Sequence, residues 1–246
     1  MFDEGQYKDK VINLINEIET TQQVNISKAG ALIGQSLSND GILHVFSTGH
    51  SHMIAEELFY RAGGLIQVDP ILDPNLMLHE GPIKSTALER LPGYAEAIFS
   101  TVNFKEGEPI IIVSNSGINV VPVEMAILAR KHGMKVIAVT STSISSALKP
   151  RHPSGMKLMN AGDVVIDNCL KDGDAVLDLP GTGQKVGAVS SIAAMYIAQR
   201  IVLSVISEYI KNGQVPPVFM SANIPGGDEH NAKLTNRYKN KIRNLY

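Results

Sequence analysis

Three short polar stretches, each rich in hydroxyl groups, are the part of this 246-residue chain best suited to bind a small anion. They read STGHSH at residues 47–52, SNSG at 114–117 and TSTS at 140–143, and each is associated with the end of an apolar run. Hydroxyls and backbone N–H groups suit phosphate oxygens, because each donates a hydrogen bond without bringing a bulky side chain close. Alternatively, Ser and Thr only cap the helices that follow. Recurrence at three places favours the anion site.

A strand, a helix and a second strand are predicted to position two of these stretches. Residues 109–113 are an apolar run with the length of a strand buried on both faces. After the SNSG turn, Pro122 suits a first helical turn and Gly133 supplies the stop. A second apolar run, 136–139, follows, and such a crossover is parallel and right-handed in nearly all cases. Ligands bind beyond the carboxyl ends of parallel strands, so the polar loops are expected at one rim.

The pattern predicts further strands and helices on both sides of this unit. Additional strands are expected at residues 41–46, 65–68 and 163–167. Helices are expected at residues 7–25, 26–37, 53–62, 186–211 and 232–243. The helix at 186–211 is mostly apolar, and we expect it to be largely buried.

Composition limits the classes of protein that this chain can represent. The net charge of -2, without a basic cluster, argues against a nucleic-acid surface. The single Cys169 excludes an internal disulfide, and no apolar stretch reaches about 18 residues. The polar start MFDEGQYKDK does not resemble a signal peptide, so a cytoplasmic protein without a membrane partner is predicted. The length suits a single domain, with a helical arm at 1–40, a sheet core at 41–211 and a tail at 212–246.

Two segments outside the hydroxyl-rich loops offer acid and base groups. His79 and Glu80 are adjacent in an irregular loop, where a half-enclosed carboxylate can transfer protons, although both could equally be solvated. Residues 223–231 combine Gly-Gly with Asp, Glu, His230 and Asn, which can hydrogen-bond sugar hydroxyls. The alternative for this segment is that Asp228 is simply a helix N-cap.

A metal site is the weaker interpretation of the histidines. His50, His52 and His79 could supply three nitrogens to zinc, but their spacing matches no strong signature. No thiolate or carboxylate pattern accompanies them. We therefore expect no metal.

The stretches FSTGHSHMIAEELFYRAGG and IIIVSNSGINVVPVEMAILARKHGMKVIAVTS resemble the sugar isomerase (SIS) domain. The length and tail are similar to the UPF0309 group of SIS proteins, often described as phosphosugar or phosphoheptose isomerases. The resemblance covers about residues 41–211. It implies a flavodoxin-like fold, a three-layer α/β/α sandwich with a five-stranded parallel sheet. It also implies a homodimer or homotetramer with sites near subunit contacts.

The resemblance implies which residues bind a sugar phosphate and also removes one expected catalytic group. The implied binding residues are Thr48, Gly49, His50, Ser51, Ser114, Asn115, Ser116, Asn119, Thr140, Ser141 and Ser143. Phosphoheptose isomerases and the related etherases place a Glu ten residues after the loop serine, but that position here is Arg61. Glu80 is therefore our first candidate for the base that moves a proton between C1 and C2 of an enediol, with His79 or His230 opening the ring. Such isomerisation requires no cofactor.

Three functions remain open at this stage. The first is a phosphosugar aldose–ketose isomerase, and the second is a sugar-phosphate sensor that uses the same pocket without turnover. The third is an amino-sugar-phosphate deaminase or an etherase-type enzyme acting on the same enolisable sugar. No DNA-binding helix-turn-helix pattern precedes the domain, and a free-standing chain favours an enzyme.

Overall fold

A five-stranded parallel sheet is the central layer of the computed structural model, which describes residues 2–245. The strand order is β2-β1-β3-β4-β5, with each neighbouring pair parallel. The strands are β1 Leu43–Ser47, β2 Val68–Ile71, β3 Pro109–Val113, β4 Lys135–Thr140 and β5 Val164–Asp167. A separate antiparallel hairpin consists of β6 Ala175–Leu179 and β7 Gln184–Ala188. The predicted five-stranded parallel sheet is therefore confirmed.

Helices cover both faces of the sheet and confirm the three-layer α/β/α arrangement. The helices are α1 Gln6–Ser38, α2 Met53–Leu58, α3 Pro82–Leu88, α4 Tyr94–Phe99, α5 Val120–Lys131, α6 Thr142–Ala147, α7 Leu158–Ala161, α8 Ser190–Lys211 and α9 Gly227–Tyr238. Short 3₁₀ turns at Gly49–His52 and Pro74–Leu76 complete the regular structure.

The central strands are mostly apolar because their alternate side chains enter two different cores. Val45 and Ile111 point into the core formed with α1, α2 and α8. Phe46 and Ile112 point into the opposite core, formed with α4, α5 and α7. Complete burial of each such side chain contributes about 1.5–3 kcal/mol. A strand covered on both sides therefore shows a continuous hydrophobic run rather than an alternating pattern.

The order of strands places the topological switch point between β1 and β3, where open α/β sheets generally form a crevice. The chain moves from β1 to β2 on one side and returns to β3 on the other, so β1 and β3 lie at the topological switch point. Ser47, the last residue of β1, is in register with Val113, the last residue of β3. The loops that follow these two strands therefore leave the sheet side by side. This confirms the predicted common rim.

The N-terminal segment is one continuous helix, not the two helices expected at 7–25 and 26–37. Its buried stripe packs along α8. A Cβ atom at Gly30 would lie 2.1 Å from Ser204 Oγ, and one at Gly34 would lie 2.8 Å from Glu208 Cβ. The two glycines therefore permit close helix–helix contact, and tertiary packing outweighs their low helix propensity.

The bounds of three other predicted helices differ in the structure. Helix α2 ends at Leu58, before Tyr60 adopts a left-handed φ of 48°. The first part of the helix expected at 186–211 belongs to β7, and α8 begins only at Ser190. The C-terminal helix α9 lies earlier in the chain than expected. Side-chain periodicity does not resolve such ends.

Helix α8 is long and apolar enough to span a membrane by length and composition alone. In the structure its side chains Ile197, Ile201 and Val205 are buried in the same core as α1 and the sheet. This packing is that of a core helix, as the sequence predicted.

A buried histidine links two carboxylates at the amino end of the sheet. In β1, His44 Nδ1 lies 3.1 Å from Asp69 Oδ2, and its Nε2 lies 3.1 Å from Glu108 Oε2. Burial lowers the pKa of His44, but hydrogen bonds and charges from Asp69 and Glu108 outweigh this effect and raise the pKa above its ordinary value. Since a carboxylate only accepts, both ring nitrogens donate and the imidazole is protonated.

The stability of the fold should therefore decrease as pH rises. The folded protein holds the His44 proton more tightly than the unfolded chain, so its stabilising effect is complete below about pH 6.5 and is lost as pH rises through the raised pKa. Urea denaturation between about pH 6 and pH 8.5 measures this slope. His44→Gln should flatten the slope, whereas His132→Gln should retain it. An unchanged slope in His44→Gln would contradict the assignment.

Candidate functional site

Three loops form the candidate site at the carboxyl end of the sheet. They are residues 48–52 after β1, residues 114–119 after β3 and residues 141–143 after β4. The backbone holds the last two together, since Ser141 N donates to Asn115 O at 3.0 Å. The hydroxyl-rich stretches identified in the sequence are thus neighbours in space.

A carboxylate that sequence analysis missed, Glu89, joins the loops of β1 and β3. Thr48 Oγ1 donates to Glu89 Oε2 at 3.0 Å, and Asn119 Nδ2 donates to Glu89 Oε1 at 2.7 Å. The backbone carbonyl of Glu89 also accepts from Val121 N at 3.0 Å, within the first turn of α5. Glu89 is therefore placed at the mouth of the switch-point crevice.

One sequence feature could have indicated Glu89. It lies at the C-terminal end of α3, where the helix dipole disfavours a negative charge. An acidic residue in that place indicates a partner outside its own helix. The identity of that partner depends on the packing of α3 against the rim, which no local pattern reveals.

Asn119 occupies the N-cap position of α5 but does not cap the helix. Its side chain makes no cap hydrogen bond, because its Oδ1 accepts from Arg151 Nη1 while its Nδ2 donates to Glu89 Oε1. Among residues 2–245, no carbonyl group accepts from the N–H groups of Ser116, Ile118 or Asn119. These three N–H groups, which immediately precede the 12-residue helix α5, are therefore available to an anion, whereas the N–H of Val121 in its first turn already donates to Glu89 O.

A glycine shapes the turn in front of α5. Gly117 has a left-handed φ of 63°, and its N–H donates to Ser114 Oγ at 3.3 Å. A Cβ atom at this position would lie 2.6 Å from Thr140 Oγ1. Only glycine satisfies both the backbone conformation and the close approach of the β4 loop.

Arg151 extends the network from the loop between α6 and α7. Its Nη1 donates to Asn119 Oδ1, and its backbone N–H donates to Ile118 O at 3.0 Å. Within the described residues, no carboxylate lies within ion-pairing distance of the Arg151 guanidinium. This cation at the rim was also missed by sequence analysis.

Several hydroxyls of the predicted site instead hold the loops in place. Thr140 Oγ1 donates to Asn115 O at 3.2 Å, while Ser141 Oγ donates to Leu170 O at 2.5 Å and accepts from Ile144 N at 3.0 Å. Thr140 and Ser141 are fully buried. Their assignment to ligand binding stays a prediction, and their observed bonds are internal.

The remaining predicted binding residues are more accessible. His50 and Ser143 are exposed, and Gly49, Ser51, Asn115 and Ser116 are partly exposed. The Asn115 amide is fixed, since its Oδ1 accepts from Asn168 Nδ2 at 2.8 Å. Ser51 and Ser116 are thus the hydroxyls best placed to meet a ligand at the crevice.

The three histidines considered for zinc do not form a metal site. Within residues 2–245, no three His, Cys, Asp or Glu side chains are grouped as metal ligands. His52 is buried, and neither ring nitrogen has a hydrogen-bond partner in the described part of the chain. Burial lowers its pKa below the ordinary value, mainly through desolvation.

Within the described residues, no hydrogen bond or ion pair joins the predicted acid and base groups to the Glu89 network. Glu80 is exposed and lies 3.4 Å from Lys84 Nζ, and His79 precedes it in the same loop. His230 lies in α9, and its Nε2 is 2.9 Å from Val218 O. Arg61, at the position where related enzymes have Glu, pairs with Glu57 Oε2 at 3.0 Å. The catalytic roles of His79, Glu80 and His230 stay predictions.

Similarity to known proteins agrees with this architecture. Residues 6–141, more than half of the chain, match the SIS domain. A UPF0309 protein of Thermoanaerobacter pseudethanolicus is 43% identical over 98% of this chain and 99% of its own length. A UPF0309 protein of Listeria innocua is 40% identical over 97% of this chain and 96% of its own length. The chain therefore belongs to the UPF0309 family of SIS-domain proteins.

Solved structures share the fold at low sequence identity. A phosphoheptose isomerase from Francisella tularensis has a TM-score of 0.53 at 17% identity, covering 82% of this chain and 95% of that chain. The NanR protein of Vibrio vulnificus, complexed with ManNAc-6P, has a TM-score of 0.51 at 15% identity, covering 84% of this chain and 64% of that chain. These likenesses confirm the SIS fold.

Ser141→Ala should destabilise the protein by about 1–2 kcal/mol. The substitution removes the side-chain cap of α6 and leaves the buried Leu170 carbonyl without its donor. The free energy of unfolding in urea measures the loss. Ser146→Ala, an exposed change in the same helix, is the control and should alter stability by less than about 0.5 kcal/mol. Equal effects in the two variants would contradict the capping role.

Proposed function

We propose that this protein binds a sugar phosphate in the crevice between β1 and β3 and interconverts its aldose and ketose forms. The observation that carries the proposal is Glu89, a carboxylate held between two loops suited to an anion. Binding and proton transfer then occur at the same rim. Glu89 is the base in this proposal, in place of the more exposed Glu80.

The phosphate group is proposed to bind at the start of α5. The N–H groups of Ser116, Ile118 and Asn119 and the hydroxyls of Ser116 and Ser51 supply donors there. The helix dipole adds a favourable positive potential. These groups give no preference for one sugar over another, so the phosphate ester defines the substrate class.

Glu89 is proposed to carry the proton during isomerisation. Its carboxylate removes a proton from the carbon beside the substrate carbonyl, giving an enediol, and returns it to the neighbouring carbon. A second proton moves in the same sense, from the hydroxyl on the deprotonated carbon to the oxygen of the original carbonyl, so no electron acceptor is required. Positioned acid–base groups of this kind contribute roughly 10²–10⁴-fold to rate.

Two structural neighbours support the class of ligand. The structure of the NanR protein contains ManNAc-6P, and the Francisella tularensis protein is a phosphoheptose isomerase. Both have folds similar to that of this chain. The sensor and the deaminase or etherase-type enzyme use the same ligand class, so the reaction itself decides among them. A cytoplasmic homodimer or homotetramer belongs to the same proposal.

Exchange of solvent deuterium into sugar phosphates tests the enzyme assignment directly. We expect the wild-type protein to incorporate deuterium at the enolisable carbon of one member of a sugar-phosphate panel, observed by NMR. Glu89→Gln should slow this exchange by at least about 100-fold, because the side chain keeps its shape and loses its basicity. Glu80→Gln is the matched control and should retain exchange.

Other results would redirect the assignment. If Glu80→Gln loses deuterium exchange and Glu89→Gln retains it, the catalytic base would be Glu80 rather than Glu89. Binding without exchange for every sugar phosphate would overturn the enzyme and favour the sensor. Release of ammonia or of an ether substituent would identify the third class.

Ser116→Ala should weaken binding of the sugar phosphate by about 1–3 kcal/mol, the range for a hydrogen bond to a charged group. Isothermal titration calorimetry with the substrate found in the exchange panel measures this change. Ser207→Ala, in α8, is the control and should bind as the wild-type protein does, because its hydroxyl bonds only to Leu203 O in its own helix. Unchanged affinity in Ser116→Ala would remove Ser116 from the site.

A further inference from the structure

We infer that Arg151 is the residue that selects a phosphorylated substrate, and that Asn119 positions its guanidinium beside the anion loop. The inference rests on the proposed function for the identity of the ligand. It adds a cation and a positioning amide that neither the hydroxyl pattern nor the family resemblance indicates.

The hydrogen-bond direction through Asn119 is fixed by its two partners. A guanidinium can only donate and a carboxylate can only accept, so Oδ1 must face Arg151 and Nδ2 must face Glu89. Both bonds are charge-assisted, and only 9% of Asn119 is exposed to solvent. One neutral side chain therefore sets the positions of a cation and an anion on opposite sides of the crevice mouth.

The backbone around Arg151 keeps the guanidinium at the anion loop. Pro150 and Pro153 restrict φ on both sides of the residue. The N–H of Arg151 donates to Ile118 O at 3.0 Å, so the residue is anchored to the loop whose neighbouring amides are free. A side chain fixed at its backbone and through Nη1 loses little further freedom when it meets a ligand.

Arg151 makes no direct ion pair within the described part of the chain, and Glu89 is joined to it only through Asn119. Lys157, by contrast, donates to the carbonyls of Ser145 and Ser146, and Arg130 lies 3.8 Å from Asp163 Oδ1. The unused donors of the Arg151 fork match a phosphate group, which can accept two parallel hydrogen bonds. Arg151 is exposed, so these donors can be reached from solvent, and the geometry points to a phosphate monoester as the ligand that uses them.

Binding of inorganic phosphate, followed by titration calorimetry, tests the inference without any need for turnover. Arg151→Gln should weaken phosphate binding by at least about 10-fold, since a charge-assisted hydrogen bond is worth about 1.5–3 kcal/mol. Arg151→Lys keeps the charge and should restore part of the affinity. Lys149→Gln removes a cation from the same loop and should change affinity by less than about twofold.

A double-mutant cycle tests the role of Asn119. Asn119→Ala releases the guanidinium and should weaken phosphate binding, but it should add little in the Arg151→Gln background. Additive effects would show that the two side chains act independently and would overturn the positioning role. Thermal unfolding of each variant identifies any general loss of structure.

The outcomes separate this inference from the proposed function. If Arg151→Gln binds phosphate as tightly as the wild-type protein, or if the wild-type protein does not bind phosphate, Arg151 is not the selective residue. That result overturns the inference even if deuterium exchange occurs. Conversely, if the double-mutant cycle gives the predicted effects on phosphate binding while no deuterium exchange is observed, Arg151 remains the anion-binding residue, and only the isomerase assignment is lost.

Discussion

The parallel pairing of β1 with β3 is the constraint on which the site depends. Parallel neighbours end at the same edge of a sheet, and the reversal of chain direction around β1 leaves a crevice there. The strands are largely apolar and buried on both faces, so the accessible polar groups collect where the strands end. The apolar core thereby determines where the polar loops meet.

Burial divides the polar groups of the rim into two sets. Thr140 and Ser141 are inaccessible to solvent and must form hydrogen bonds inside the protein, which fixes the β4 loop against its neighbours. The N–H groups of Ser116, Ile118 and Asn119 are not used in this way, since no carbonyl group in the described residues accepts from them. The structural set holds the loops in place, and the unused set is left for a ligand.

The sequence predicts those parts of this arrangement that have a local cause. Apolar runs of strand length followed by small polar residues identified β1, β3 and β4 and their loops, because strand burial and turn chemistry act over a few residues. Glu89 and Arg151 were missed because each reaches the rim from an element distant in sequence from its partners. The continuity of α1 across residues 25 and 26 was missed for a related reason, since the packing of this helix along the distant α8 is not visible in its local sequence. The predicted catalytic assignment of Glu80 followed from its neighbours in sequence, whereas the proposal of Glu89 rests on the hydrogen bonds that join it to two of the loops.

The position of Glu89 also bears on the choice between catalysis and sensing. A carboxylate beside an anion-binding loop repels a phosphate dianion, so it weakens ligand binding. A protein that only senses the ligand gains nothing from that repulsion, whereas an enzyme needs a base near the substrate carbons. Glu89 lies at the end of α3, whereas the glutamate of related enzymes is on the helix after the first loop. This difference is compatible with a role as the base, because catalysis depends on where a group lies relative to the substrate. With Arg61 paired to Glu57 at the position where related enzymes carry their glutamate, a carboxylate from another helix at the same crevice can supply the base.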